Sequence, residues 1–135
     1  MHRDILFETN RFNLSEVKQH FINPCCFGED LAAWLRAELI ERGIPTIEPG
    51  QEDWGWYIES QMDGCTYFIA IGGNPDDTAQ DKNRGEWRIT IEKHRSVWEK
   101  LSGRNKTTQE APIFDVIEAI LRAQPDIKNV RHEEP

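Results

Sequence analysis

The chain has 135 residues, a formal net charge of −8 at pH 7, and 38% apolar residues that include six Phe, five Trp and two Tyr. Disordered chains contain few aromatic residues, so this composition excludes disorder and predicts a single domain over residues 1–135. Three cysteines cannot all pair, which argues against a secreted disulfide scaffold. Because neither a membrane-length apolar run nor a signal-like segment is found, we expect a cytoplasmic protein without a membrane partner.

The first predicted elements are a strand over residues 5–12 and a helix that follows it. The helix is predicted because apolar residues spaced three and four apart form one stripe: Leu31, Trp34, Leu35 and Leu39. Gly43 stands where a helix typically ends, and Pro45 prevents the helix from continuing.

A hairpin comes next, and its register follows from the turn. Asp63-Gly64 is typical of a two-residue turn, and counting outward pairs Met62 with Cys65 and, further along, Trp56 with Ile71. One face then carries the predicted core: Trp54, Trp56, Ile58, Met62, Tyr67, Ile69 and Ile71. The second face, of mixed character, pairs Tyr57 with Ala70, Glu59 with Phe68 and Gln61 with Thr66.

The remaining elements complete an α+β fold. Residues 72–85 are polar and predict a mobile loop, and the alternation over 87–92 predicts a strand that adds Arg88, Thr90 and Glu92 to the second face. A helix from Pro112 and a short edge strand over 127–130 follow. We predict a two-layer sandwich, with an antiparallel sheet of four to five strands and two main helices packed on one face.

Charge is distributed unevenly along the chain. Residues 26–65 hold nine acids and two bases, net −7, whereas residues 82–106 hold eight bases and three acids, net +5. An overall charge of −8 repels phosphate backbones, so general nucleic-acid binding is disfavoured and a basic protein is the expected partner. The alternative is that both segments are solvated faces.

The most unusual string is Glu52-Asp53-Trp54-Gly55-Trp56, in which two carboxylates precede alternating indoles. We predict a protein-binding site here, formed by Glu52, Asp53 and Trp54 together with Asp76 and Asp77 of the loop, because aromatic anchors with an acidic rim suit a basic partner. The alternative is that the indoles are core residues and the acids are solvated.

A second candidate site uses the second sheet face to bind a small ligand or an anion. Its residues are Tyr57, Phe68, Arg88, Lys93 and His94, and His94 between two bases is the best candidate for a titrating imidazole. A third hypothesis is a small enzyme that uses Asp53, Glu59 or Glu92 with His94. The sequence predicts no metal site or cofactor, since the adjacent Cys25 and Cys26 lack the spacing of metal-binding pairs.

Three segments together resemble a group of small, uncharacterised bacterial proteins: Phe27-Gly28-Glu29-Asp30-Leu31-Ala32, Glu52-Asp53-Trp54-Gly55-Trp56 and Gly85-Glu86-Trp87-Arg88. The resemblance covers most of the chain. It implies a compact bacterial cytoplasmic domain, and it implies no activity. We therefore predict a non-enzymatic acidic protein-binding module, such as an inhibitor or immunity-type partner of a basic protein, with a small-ligand or anion-binding domain as the alternative.

Overall fold

A computed structural model describes residues 4–21, 26–93 and 112–133. Within these ranges there are six strands and two helices: β1 (Asp4–Thr9), α1 (Glu29–Glu41), β2 (Gly50–Glu52), β3 (Gly55–Met62), β4 (Cys65–Pro75), β5 (Gly85–Lys93), α2 (Pro112–Arg122) and β6 (Lys128–Glu133). The strands form one open antiparallel sheet in the order β2-β3-β4-β5-β1-β6. Neither α1 nor α2, the two helices of the described ranges, has the length and apolar composition of a membrane-spanning segment.

The α+β class is confirmed, and the predicted number of four to five strands is wrong. The sheet has six strands, and the missing one is β2, which pairs with β3 over only three residues. β2 has the sequence Gly-Gln-Glu, which contains no apolar residue and therefore no alternation that would indicate a strand. Pairing with β3, rather than local preference, makes this segment extended.

The predicted hairpin register between β3 and β4 is confirmed. Met62 lies opposite Cys65, and the pairing continues without a shift to Trp56 opposite Ile71. Asp63 and Gly64 both have positive φ, 54° and 76°, as a two-residue turn that matches the twist of the strands requires. The turn leaves no freedom for a register slip, so it decides which residues reach each face.

The predicted loop over residues 72–85 is shorter in the structure, because residues 72–75 extend β4 and pair with β5. Gly73 faces the core at this point, where a methyl group would lie 2.7 Å from Cζ3 of Trp87. Glycine is therefore required here for space within a strand. The loop itself covers residues 76–84.

One face of the sheet and both helices contribute side chains to a single hydrophobic core. The sheet supplies fully buried isoleucines from three strands: Ile58, Ile69, Ile71, Ile89 and Ile91. The helices supply the buried residues Leu31, Leu35, Leu39, Ile113, Ile117 and Leu121. The end of α1 agrees with the prediction, since Gly43 has φ 80° directly after the helix cap.

Candidate functional site

The second face of the sheet, which carries Tyr57 and Phe68, divides into two halves of different chemistry. Over β5, β1 and β6 it carries ion pairs, and we call this the ion-pair half: Asp4, Leu6, Glu8, Glu86, Arg88, Arg131 and Glu133. Over β3, β4 and the residues beside β3 it carries aromatic and apolar side chains and one carboxylate, and we call this the aromatic half: Ile47, Trp54, Tyr57, Glu59 and Phe68.

Arg88 in the ion-pair half has both ends of its guanidinium occupied. Nη1 pairs with Oδ2 of Asp4, and Nη2 donates to Oε1 of Glu133 at 2.9 Å. The hydrogen bonds that Arg88 donates, first to Glu133 and then to Asp4, raise its pKa above the already high usual value. The sequence predicts that Arg88 binds an anion, but its charge is balanced by two carboxylates that link β5 to β1 and β6.

Arg131 makes a second link of the same kind. Its Nη2 pairs with Glu86 on β5, and its Nη1 lies 3.8 Å from Oε2 of Glu8 on β1. Leu6 lies opposite both Arg88 and Arg131 in the two registers and is only 2% exposed, although it faces away from the core. Ion pairs therefore link β5 to β1 and β6 across this half, and both of its arginines are engaged.

Three rings of the aromatic half pack on one another. Tyr57 and Phe68 are stacked, with centroids 5.0 Å apart and planes 26° apart, and Trp54 meets Phe68 edge to face at 6.1 Å and 73°. Tyr57 lies close over β2, where a methyl group at Gly50 would be 2.6 Å from its Cζ. Trp54 is 49% exposed. One ring of the cluster, Tyr57, therefore packs against β2, and another, Trp54, is open to solvent.

The prediction that Trp54 shares the core face with Trp56 is wrong. Trp54 precedes Gly55, the first residue of β3, and stands in the turn between β2 and β3, where strand alternation does not apply. Cys26 makes two hydrogen bonds that fix this turn and the beginning of β3. Its thiol donates to the carbonyl of Asp53 at 3.3 Å, and its own carbonyl accepts the indole N–H of Trp56 at 3.1 Å.

The segment that forms the aromatic half carries charge of one sign, although Arg36 of α1 reaches Glu48 at 3.7 Å. Residues 43–81, which contain β2, β3 and β4, include no Lys, Arg or His and eight acids: Glu48, Glu52, Asp53, Glu59, Asp63, Asp76, Asp77 and Asp81. Phe68 stands between two carboxylate residues in the ladders, Glu59 on β3 and Glu92 on β5. A cation that approaches this half therefore meets rings and carboxylates and no competing positive side chain from this segment.

The predicted partner-binding residues are divided between the turn and the loop. Glu52, Asp53 and Trp54 lie at the β2–β3 turn, beside the aromatic half. Asp76 and Asp77 follow β4 in the loop over residues 76–84. The Oδ1 of Asp76 accepts from the hydroxyl and amide of Thr78, and these hydrogen bonds lower the pKa of Asp76. Asp76 therefore stabilises the loop's own turn.

The residues of the alternative site are also separated. Tyr57, Phe68 and Arg88 share the second face. Lys93 lies opposite Tyr67 in the ladder and therefore belongs to the core face. His94 lies outside the described residues, so its predicted role stays a prediction. The structure thus combines the two candidate sites, because it joins Trp54 of the first with Tyr57 and Phe68 of the second.

A groove next to the aromatic half was not predicted from the sequence. Residues 45–47 run beside β3, and they enclose with it a cavity of about 200 Å³ lined by Pro45, Thr46, Ile47, Glu59, Gln61 and Thr66. A second cavity of about 350 Å³ shares three of these residues and continues to the turn at Asp63 and Gly64. The only sequence signal was an isolated Ile47 between polar residues, which indicates nothing by itself.

A third cavity of about 320 Å³ lies between residues 11–18 and the beginning of α1. Its charged side chains pair with one another or with a neighbour. Nζ of Lys18 is 3.1 Å from Glu16, and Nε2 of His20 is 2.6 Å from Glu29. Because positive and negative side chains are both present and pair with each other, this cavity favours neither a cationic nor an anionic ligand.

The described ranges contain no group of three or more His, Cys, Asp and Glu side chains arranged to hold a metal ion. Comparison with known protein families, curated proteins and solved structures found no match to the chain. The resemblance to a group of small bacterial proteins therefore stays a prediction. The two halves of the second face and the groove beside them are the features from which a function can be inferred.

Proposed function

We propose that this protein is a non-enzymatic acidic binding module that takes a basic protein on its aromatic half. The proposal includes the two-layer arrangement, in which both helices cover the core face and leave the aromatic half on the outer face. The observation that carries it is the packed cluster of Trp54, Tyr57 and Phe68 on a sheet region whose own segment, residues 43–81, has carboxylates as its only charged side chains.

Exposed apolar side chains support this choice of surface. Four large apolar residues are strongly exposed among those the structure describes, and two of them, Ile47 at 51% and Trp54 at 49%, belong to the aromatic half. Apolar patches with a polar border are typical of interaction sites. Rigid aromatic side chains supply binding energy when a partner buries them, and the surrounding carboxylates accelerate encounter with a positively charged protein.

The alternative of an anion-binding domain would need a cation that is available to the ligand. Arg88 and Arg131 are the arginines of the second face within the described residues, and each is paired with two carboxylates, whereas Lys128 of β6 lies opposite Glu8, at the edge of the sheet farthest from the aromatic half. An anion would have to displace those partners. The balance of charge therefore favours a basic partner over an anionic ligand.

The test is cross-linking of carboxylates to amines in a lysate, followed by binding measurements with the recovered partner. We expect a basic protein cross-linked near Glu52, Asp53 or Glu59. Replacing Trp54 by Ala weakens its binding by at least tenfold, because truncation of an exposed aromatic anchor costs about 2 kcal/mol or more. Charge reversal by Glu59→Lys slows association, and added salt slows association of the wild type.

The matched control is Asp115→Lys, which makes the same charge reversal at an exposed position of α2, the helix that packs near β6 at the opposite edge of the sheet. It leaves the dissociation rate unchanged and alters association far less than Glu59→Lys. A partner that is acidic, or that binds the Trp54→Ala protein as tightly as the wild type, would show that the aromatic half is not the binding surface.

A further inference from the structure

We infer that the cavity beside Glu59 receives one arginine side chain of the basic partner. This inference rests on the proposed function, which it makes specific. The cavity measures about 200 Å³ and is lined by Pro45, Thr46, Ile47, Glu59, Gln61 and Thr66. It adjoins the aromatic half, because Glu59 lies directly opposite Phe68 in the ladder.

One side of the cavity is apolar, and the local pairing explains why. Thr46 is buried, and its hydroxyl lies 2.8 Å from the hydroxyl of Ser60, so Thr46 faces the core. In an extended segment neighbouring residues point to opposite faces, so Pro45 and Ile47 face outward beside Glu59. The methylene stem of a long side chain can therefore lie against Pro45 and the half-exposed Ile47.

The other side offers hydrogen-bond acceptors for a cationic head group. Glu59 is half-buried, and across residues 4–21, 26–93 and 112–133 no hydrogen bond or ion pair reaches its carboxylate. The amide oxygen of Gln61 and the hydroxyl of Thr66 line the same cavity. A carboxylate with neutral acceptors beside it and no cation of its own suits a positively charged side chain.

The neighbouring ring favours arginine over lysine. Residues directly opposite in an antiparallel ladder have Cβ atoms about 5 Å apart, so a head group bound to Glu59 lies next to the ring of Phe68. A guanidinium can bind a carboxylate with two parallel hydrogen bonds and also stack on an aromatic face. An ammonium group is a compact, strongly hydrated point charge and does neither as well.

A partner strand cannot pair with β3 beside the cavity, because residues 45–47 already occupy this edge. The amide of Ile47 donates to Glu59 and the amide of Gln61 donates to Pro45, both at 2.9 Å, so residues 45–47 already pair with β3. The carbonyl of Thr46 points away from β3 and accepts Nε of Arg36 at 3.0 Å. The partner therefore contributes a side chain through the open face rather than a strand at the edge.

The test uses three capped tripeptides as probes, in which glycines flank arginine, lysine or citrulline, and titrates each into ¹⁵N-labelled protein. We expect saturable shifts for the arginine probe at the amides of Ile47, Glu59, Gln61 and Thr66. The lysine probe binds several-fold more weakly, and citrulline, which keeps the shape and loses the charge, gives no saturation. Glu59→Gln weakens arginine binding about tenfold.

The matched control is Asp115→Asn, which removes one negative charge at an exposed position of α2, the helix that packs near β6 at the opposite edge of the sheet. It leaves arginine binding unchanged. Equal binding of citrulline, equal effects of Asp115→Asn and Glu59→Gln, or shifts confined to the Trp54 turn would each overturn the inference. So would concentration-dependent shifts at these amides without any probe, because they would show that a second copy fills the cavity.

Those results leave the proposed function standing, because it fails only if the recovered partner is acidic or if its binding does not depend on Trp54. The two ideas are therefore separable. The tripeptides test the cavity, and the Trp54→Ala protein tests the surface.

Discussion

Replacing Gly73 by Ala tests whether residues 72–75 belong to the sheet. A methyl group built on Gly73 would lie 2.7 Å from Cζ3 and 2.8 Å from Cε3 of Trp87, and 2.9 Å from Cδ2 of Leu14. All three distances are shorter than an ordinary van der Waals contact. Trp87 is fully buried and Leu14 nearly so, which leaves neither of them room to move away.

The expected cost follows from the behaviour of overfilled cores, where one extra methyl group typically destabilises by about 1–3 kcal/mol. Gly72 supplies the matched comparison, because a methyl group there meets nothing within 4 Å and its φ does not require glycine. Replacing Gly72 by Ala restricts the unfolded chain and should stabilise by about 0.5 kcal/mol. The two adjacent substitutions therefore differ by about 1.5–3.5 kcal/mol.

Urea unfolding followed by tryptophan fluorescence measures both free energies, with an unchanged m-value required for a valid comparison. Gly73→Ala lowers the midpoint, and Gly72→Ala raises it slightly or leaves it unchanged. Equal midpoints for the two variants would show that residues 72–75 form a loop, as the sequence alone predicts, and that the extension of β4 is wrong.

Three further predictions concern packing and pH. Trp56→Ala lowers the unfolding free energy by about 3–5 kcal/mol, whereas Trp34→Ala costs about 1–2 kcal/mol because this side chain is only partly buried; thermal unfolding of both variants measures the difference. Leu6→Ala costs about 2–3 kcal/mol in urea titrations although Leu6 lies on the outer face, and a loss below about 0.5 kcal/mol, typical of an exposed residue, would refute its burial. Burial raises the pKa of Glu118, but hydrogen bonds from Arg122 and His132 outweigh it and the net pKa is lowered. The ionised Glu118 therefore adds to the free energy of unfolding above the unfolded pKa of about 4.3, and this stabilisation is lost as the pH falls through the lower folded pKa. Glu118→Gln consequently lowers the free energy of unfolding by about 1 kcal/mol at pH 7 and has no measurable effect at low pH.

The parts of the fold that could be predicted are those with a local physical cause. The Asp63-Gly64 turn determines the β3–β4 pairing within a few residues, and Gly43 marks the end of α1. β2 could not be predicted, because its extended form depends on pairing with β3. The sequence Gly-Gly-Asn-Pro of residues 72–75 has the composition of a loop, and only the position of Trp87 shows that glycine is needed for space.

The candidate site was predictable in its composition and not in its assembly. Counting outward from the Asp63-Gly64 turn is enough to place Tyr57 and Phe68 on one face. If side chains continued to alternate between the two faces beyond Gly55, Trp54 would lie in the core. The chain turns at this point, so the alternation ends and Trp54 is half-exposed. Arg88 looks available for an anion in the sequence because Asp4 and Glu133, its two partners, are distant along the chain. Long-range partners of this kind have no local signature.

The position of β1 between β5 and β6 has a consequence for the order of folding. β2, β3, β4 and β5 are neighbours both in sequence and in the sheet, so their pairing closes short loops. β1 must instead find Thr90 and Glu133, both far along the chain from Asp4. Closing such long loops is entropically costly, and contacts of this kind slow folding. We expect the four consecutive strands β2 to β5 to form the folding nucleus. Substitutions in the β3–β4 hairpin should then slow refolding, whereas substitutions in β1 should mainly accelerate unfolding.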